Sequence, residues 1–134
     1  MPATKVQLKT MSYVILYVKD TAKASKFYSE TLGMKVKVEH PGWVELETGS
    51  VTLALHGVEE VPTKPVNGHP EVCFTVDNVY EVHEELKKSG VKFITEPRQV
   101  CEEGDNVGVS AAFHDEDQNI LSIYSHLHKS KVRH

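Results

Sequence analysis

EVCFTVDNVYEVHEELKKSGVKF (residues 71–93) reads as a strand, a cap and a helix, in the order that YVILYVKDTAKASKFYSETLGMKV (13–36) uses earlier in the chain. In the later copy Val72, Phe74 and Val76 alternate as in a half-buried strand, and Val79, Val82 and Leu86 fall on one helical face. Asn78 is placed to cap that helix, and Gly90 supplies the left-handed residue that ends it. In the earlier copy Val14, Leu16 and Val18 alternate, Asp20 or Thr21 caps, Ala24, Phe27, Tyr28 and Leu32 recur at helical spacing, and Gly33 closes. Asp20 answers to Asn78 and Gly33 to Gly90, an interval of 57 or 58 residues, so the chain is read as a duplicated unit.

Each copy is followed by three short alternating runs. MKVKVEH, GWVELETG and SVTLALHG are broken by Pro41-Gly42 and Gly49-Ser50; VKFIT, NVGVSAAFH and NILSIYS follow the second helix. The fold class is therefore α+β, built from two βαβββ modules. Residues 1–10 are expected to be an N-terminal extension, 11–57 the first module, 58–68 a Pro- and Gly-bearing linker, 69–125 the second module and 126–134 a frayed tail. Residues 11–125 form one compact domain on this reading. Each helix should cover one face of its half-sheet and leave the other to curve around a cavity.

Strand alternation assigns the side chains of that second face. Tyr13, Ile15 and Tyr17, then Thr52, Ala54 and His56, come from the first module; Glu71, Cys73 and Thr75, then Ser122 and Tyr124, come from the second. A polar wall of this kind is stable when it meets water or a ligand. Trp43 is expected to anchor the core, and Cys73 is read as a small buried thiol in preference to a nucleophile. EPRQVCEEGDN (96–106), with four acidic residues against one Arg, is expected to be a loop over the pocket that favours a cationic ligand or is merely solvated. Glu84 and Lys88 are spaced for an i,i+4 pair.

Composition narrows the function classes. With 15 Lys and Arg against 19 Asp and Glu the net charge is -4, which offers no basic field for nucleic acid or an anionic membrane. No apolar run approaches the ~20 residues that cross a bilayer, and MPATKVQLKT lacks a signal-peptide core, so a cytosolic location is expected. Cys73 and Cys101 have no CxxC spacing and are expected to stay reduced.

These segments together resemble the vicinal oxygen chelate superfamily, which includes glyoxalase I, extradiol dioxygenases, fosfomycin-modifying thiol transferases and bleomycin-binding resistance proteins. The resemblance spans about residues 11–125 and rests on VILYVKDTAKASKFYSETLGMKV, ELETGSVTLALH, EVCFTVDNVYEVHEELKKSGVKF and FHDEDQNILSIYS. The last is similar to the family's Asp-Pro-Asp-Gly-Asn turn and final strand, with Glu116 and Gln118 at the Pro and Gly positions. The resemblance implies two modules forming a curved mixed sheet around a cavity, and a homodimer. It also implies where a divalent metal would be held: the ligand positions fall on Tyr13, Glu71, Ser122 and, approximately, Ala54.

One carboxylate, one phenol and one hydroxyl are a poor set for an imidazole-rich site, so neither a metal nor another cofactor is expected. A displaced site of His56, His69 and Glu71 is the sharper alternative, although Pro70 interrupts the strand edge. The favoured reading is metal-independent binding of a small organic molecule by Tyr13, Tyr17, Thr52, His56, Glu71, Cys73, Ser122 and Tyr124, with Glu71 the best candidate for a catalytic role. The alternatives are a metal-dependent glyoxalase I-like lyase or thiol transferase, and an interaction domain with a vestigial pocket.

Overall fold

The computed structural model describes residues 9, 11–61 and 70–134. The first module runs β1 (Tyr13–Val18), α1 (Thr21–Lys26, continued by a π-helical turn over Phe27–Thr31), β2 (Lys35–His40), β3 (Trp43–Glu47) and β4 (Thr52–Gly57). The second runs β5 (Val72–Thr75), α2 (Val79–Lys88), β6 (Phe93–Glu103), β7 (Asn106–His114) and β8 (Ile120–His128). Each module forms a four-stranded sheet, ordered β1-β4-β3-β2 and β5-β8-β7-β6. In both, the first strand pairs parallel to the last and the others pair antiparallel. The duplicated α+β unit read from the sequence is thus the unit of the fold.

Both helices begin and end as their sequences dictate. The Asp20 carboxylate accepts from Lys23 N at 3.1 Å, and the Asn78 side chain accepts from Tyr80 N at 2.9 Å. Gly33 (φ 74°) and Gly90 (φ 93°) take the left-handed conformation beyond each helix. A regular first helix was expected, but Leu32 N donates to Phe27 O, five residues back, at 3.0 Å. The wider turn keeps both Phe27 and Tyr28 against the core, with their rings near perpendicular at 5.5 Å.

The helix-side faces of the two sheets share one core. Val18, Leu46, Leu53 and Leu55 of the first module and Val79, Phe113, Leu121 and Ile123 of the second lie in a single buried cluster. Beside this core a polar knot ties the modules together. Asp115, 6% exposed, accepts from the Tyr28 hydroxyl at 2.8 Å, from Asp117 N and Asn119 N at 2.9 Å each, and from Asn119 Nδ2 at 2.8 Å. Asn119 Nδ2 also donates to Tyr17 O at 3.1 Å, which fixes the end of β1 against the start of β8. The turn that makes this possible places Gln118 at φ 67°, the only non-glycine among the described residues in the left-handed region.

Three expectations are corrected here. Residues 96–103 are not a loop: β6 continues to Glu103 as an edge strand whose register shifts absorb Pro97. The chain then reverses through Gly104-Asp105, with Gly104 at φ 63°. The tail is not frayed, because β8 extends to His128 and Val132 packs on the core. Arg133 also pairs with Glu84 and lies 5.0 Å over the Tyr80 ring. Consequently Glu84 does not pair with Lys88, which reaches Glu85 at 3.4 Å instead.

Burial, the neighbouring Asp115 charge and the hydrogen bond to it all push the Tyr28 phenol well above its ordinary range. The folded state therefore favours the neutral phenol, and this contribution is present below about pH 10 and lost as pH rises further. Tyr28→Phe is expected to cost about 1.5–3 kcal/mol in urea unfolding at pH 7. Above about pH 10 the wild type should lose stability faster than this variant, by up to ~1.4 kcal/mol per pH unit. Gln118→Gly should raise stability by up to about 1 kcal/mol in the same assay, because the left-handed conformation carries no Cβ penalty in glycine.

Candidate functional site

The face of each sheet opposite its helix carries the predicted wall. On the first sheet the pairings Tyr13↔Thr52, Ile15↔Ala54 and Tyr17↔His56 set β1 and β4 side by side, and Trp43↔His56 and Glu45↔Ala54 add β3. Tyr13, Ile15 and Tyr17 are 46%, 44% and 40% exposed, so this face is open to solvent. Ala54, 0% exposed, is the exception, because larger side chains close over it.

Those side chains form a chain of rings. Tyr13 meets Trp43 at 6.2 Å between centroids with planes at 61°, Trp43 meets His56 at 5.8 Å and 66°, and His56 meets Tyr17 at 5.6 Å and 39°. The Trp43 indole N–H donates to the Glu45 carboxylate at 2.9 Å. Lys37, at a bulge in β2, donates to Thr52 Oγ1 at 3.2 Å. Trp43 is therefore a wall residue and not a core anchor. The His40↔Trp43 pairing across Pro41-Gly42 phases β3 so that Val44 and Leu46 take the helix side. That phase was readable in WVELE, where the two apolar residues alternate with Trp43, Glu45 and Glu47.

The second sheet presents a different surface. Cys73, Thr75, Ser122 and Tyr124 sit in adjacent rows through the pairings Cys73↔Ser122 and Thr75↔Tyr124. Cys73 is exposed, not the buried thiol expected, because β5 is an edge strand and this face is uncovered. Ser122 lies on the same side, yet it is 1% exposed and its hydroxyl has no hydrogen-bond partner among the described residues. Glu71 falls just outside β5, exposed, and makes no hydrogen bond or ion pair with a described residue. His69 lies outside the described residues.

Tyr124 leans across the sheet. Its hydroxyl lies 3.6 Å from Cys101 Sγ on β6, and both sit directly over Gly108 of β7. A Cβ at Gly108 would stand 2.5 Å from the Tyr124 hydroxyl and 2.6 Å from Cys101 Sγ, so only glycine leaves room for this contact. The hydrogen bond with Cys101 holds the Tyr124 phenol above its ordinary range, reinforced by desolvation and by the acidic groups of Cys101, Glu103 and Cys73. Cys101 joins the wall because its segment is part of strand β6 and not the expected loop.

The metal-ligand positions can be tested on this geometry. Ala54 has no donor atom, Tyr13 packs its ring on Trp43, the Ser122 hydroxyl is beneath the surface, and Glu71 stands outside its strand. These groups do not fit a divalent-metal site that draws on imidazole and carboxylate donors. Among the described residues no group of three or more His, Cys, Asp or Glu side chains is arranged to hold a metal ion. No described helix is long and apolar enough to cross a membrane.

Comparison with known proteins agrees with this architecture. The model of the Glyoxalase/Bleomycin resistance protein/Dioxygenase superfamily matches residues 10–126. The chain is 26% identical over 122 residues to the protein YetH of Bacillus subtilis (strain 168), covering 87% of this chain and 98% of YetH. A glyoxalase/bleomycin resistance protein/dioxygenase family enzyme from Burkholderia phytofirmans PsJN superposes with TM-score 0.74 at 20% identity, over 89% of this chain and 100% of that one. The corresponding protein from Alicyclobacillus acidocaldarius superposes with TM-score 0.71 at 15% identity, over 90% and 94%. At these identities the solved structures share the fold.

The Tyr124 contact yields a direct check. Cys101→Ala and Gly108→Ala should each lower the Tyr124 titration midpoint toward that of an ordinary phenol, read from ring resonances against pH. An unchanged midpoint in both variants would show that the contact does not form.

Proposed function

We propose, since the chain belongs to the glyoxalase/bleomycin resistance protein/dioxygenase superfamily, that it binds a small organic molecule on the open faces of its sheets without a resident metal. The observation that carries this reading is the chain of rings from Tyr13 through Trp43 and His56 to Tyr17, exposed on the face that the fold leaves uncovered. Such rings offer flat apolar area at low entropic cost, with the tyrosine hydroxyls to orient a ligand. Thr52 borders the rings, and Cys73 and Tyr124 supply the polar surface of the second sheet. Glu71 stands at its margin as the carboxylate best able to meet a ligand amine or hydroxyl.

A second copy of the chain completes the site on this reading. Met11 is 65% exposed and lies beside the exposed Tyr13, Ile15 and Tyr17, so β1 presents a run of large apolar side chains that a homodimer would cover.

A thermal-shift screen of small metabolites tests the proposal, because a ligand at 100 times its dissociation constant should add about 2.7 kcal/mol of stability. The same ligand should change the emission of Trp43, the single tryptophan of the chain, and Tyr17→Ala should weaken both signals. Dialysis against a chelator should leave binding unaltered. A stoichiometric transition metal that is lost together with binding in Glu71→Ala would overturn the metal-independent reading.

A further inference from the structure

The four rings of the first sheet are not arranged as a floor. Trp43 stands at 61° to Tyr13 and at 66° to His56, so the rings form a corner, and Tyr17 extends it beyond His56 at 39°. Parallel rings would form a slot that stacks a planar ligand on both of its faces, and these steeply inclined neighbours do not form one. Inclined rings do allow two or more negative faces to converge on a compact positive group, the arrangement that recognises alkylated ammonium ions.

The charges around the corner point the same way. The Glu45 carboxylate accepts the Trp43 indole N–H at 2.9 Å. This places an anion within the corner and draws electron density onto the indole, which strengthens its attraction for a cation. Lys37 is the nearby positive group, but its ammonium is held by Thr52 Oγ1 at 3.2 Å, at the Tyr13 end. Thr52 and Tyr13 pair one row away from Ile15 and Ala54, and a further row from Tyr17 and His56. The ring–cation contact among the described residues lies elsewhere, where Arg133 covers Tyr80.

We propose that Tyr13, Trp43, His56 and Tyr17, with the carboxylate of Glu45, form a binding site for an organic cation, namely an alkylated ammonium group carried by the bound small molecule. This proposal rests on the reading that the open face binds a small molecule and adds the chemical class. The rings contact the alkyl groups and the spread positive charge, while Glu45 supplies the counter-charge without needing a hydrogen bond from the ligand. A quaternary ammonium has no N–H to satisfy, so this corner can desolvate it at little cost.

Titration of Trp43 emission with choline and with its uncharged tert-butyl isostere tests the assignment. The pair have nearly the same shape and differ in charge. Choline should give a saturable change at a dissociation constant at least about tenfold below that of the isostere. Glu45→Gln keeps an acceptor for the indole and removes the charge, so it should weaken choline several-fold and leave the isostere unchanged. Equal binding of the two probes, or an unchanged choline affinity in Glu45→Gln, would overturn the cation assignment while leaving small-molecule binding intact. If neither probe nor any neutral metabolite perturbs Trp43, both the assignment and the reading beneath it fail. The comparison of the two probes on the unaltered protein stands even if the variant does not fold.

Discussion

A carboxylate placed in a protein core is costly unless donors surround it, and Asp115 is surrounded. Two of its donors are backbone amides of its own turn, one is the Asn119 side chain, and the fourth is the Tyr28 hydroxyl from the other module. The path does not stop at the carboxylate, since Asn119 Nδ2 passes on to Tyr17 O at the end of β1. Tyr28, Asp115, Asn119 and Tyr17 thus make one connected network that joins helix, turn and strand across the two modules. In a network of this kind each bond supports the next, and loss of one member leaves the others buried without partners. The open face depends on it directly, because Tyr17 also carries the last ring of the aromatic corner.

The duplicated unit has been filled in two different ways. Ala54 occupies in the first sheet the place that Ser122 occupies in the second, as the pairings Ile15↔Ala54 and Cys73↔Ser122 show. Both are buried, but the rows around Ala54 carry Tyr13, Trp43, Tyr17 and the His56 imidazole, whereas Ser122 is flanked by Cys73 and Ala112, with Thr75, Ser110 and Tyr124 in the next row. Each sheet also uses a small residue to let large ones cross. Tyr13 and Trp43 meet over the Ala54 row, and Tyr124 meets Cys101 over Gly108. The first face can therefore offer ring surface and the second hydrogen-bonding groups, which a symmetric pair of sheets would not.

The architecture was legible because the signals that define it are local and repeated. Asp20 and Asn78 cap, Gly33 and Gly90 terminate, and the alternation of Val14-Leu16-Val18 and Val72-Phe74-Val76 orients β1 and β5. The misreadings came where local composition and tertiary pairing disagree. Pro97 and the acidic run to Glu103 look like loop, yet β7 supplies a partner along the whole length and bulges take up the irregularity. The tail looks polar, yet Val132 packs on the core and Arg133 finds Tyr80 and Glu84, 53 and 49 positions away in the chain. Nothing local announces such contacts. At the site, alternation named Tyr13, Tyr17, Thr52 and His56, but not how they touch. The Trp43–Glu45 bond and the Cys101–Tyr124 contact depend on side chains crossing between strands, and alternation gives the face without giving the angle.

The same geometry bears on how this chain could hold a ligand. Coordination requires donors from separate strands to converge on one point with their lone pairs unspent. Here the group at position 13 is a phenol whose ring is committed to Trp43, and the hydroxyl at position 122 lies below the surface. What remains available is spread over an area: ring faces and an indole polarised by Glu45. Affinity built from such contacts grows with the surface a ligand covers and with how rigidly the rings are held, not with the strength of any single bond. The rigidity of the corner follows from its packing over Ala54 and from the tether at Tyr17 O, so on the proposed reading the buried knot at Asp115 would support recognition as well as folding.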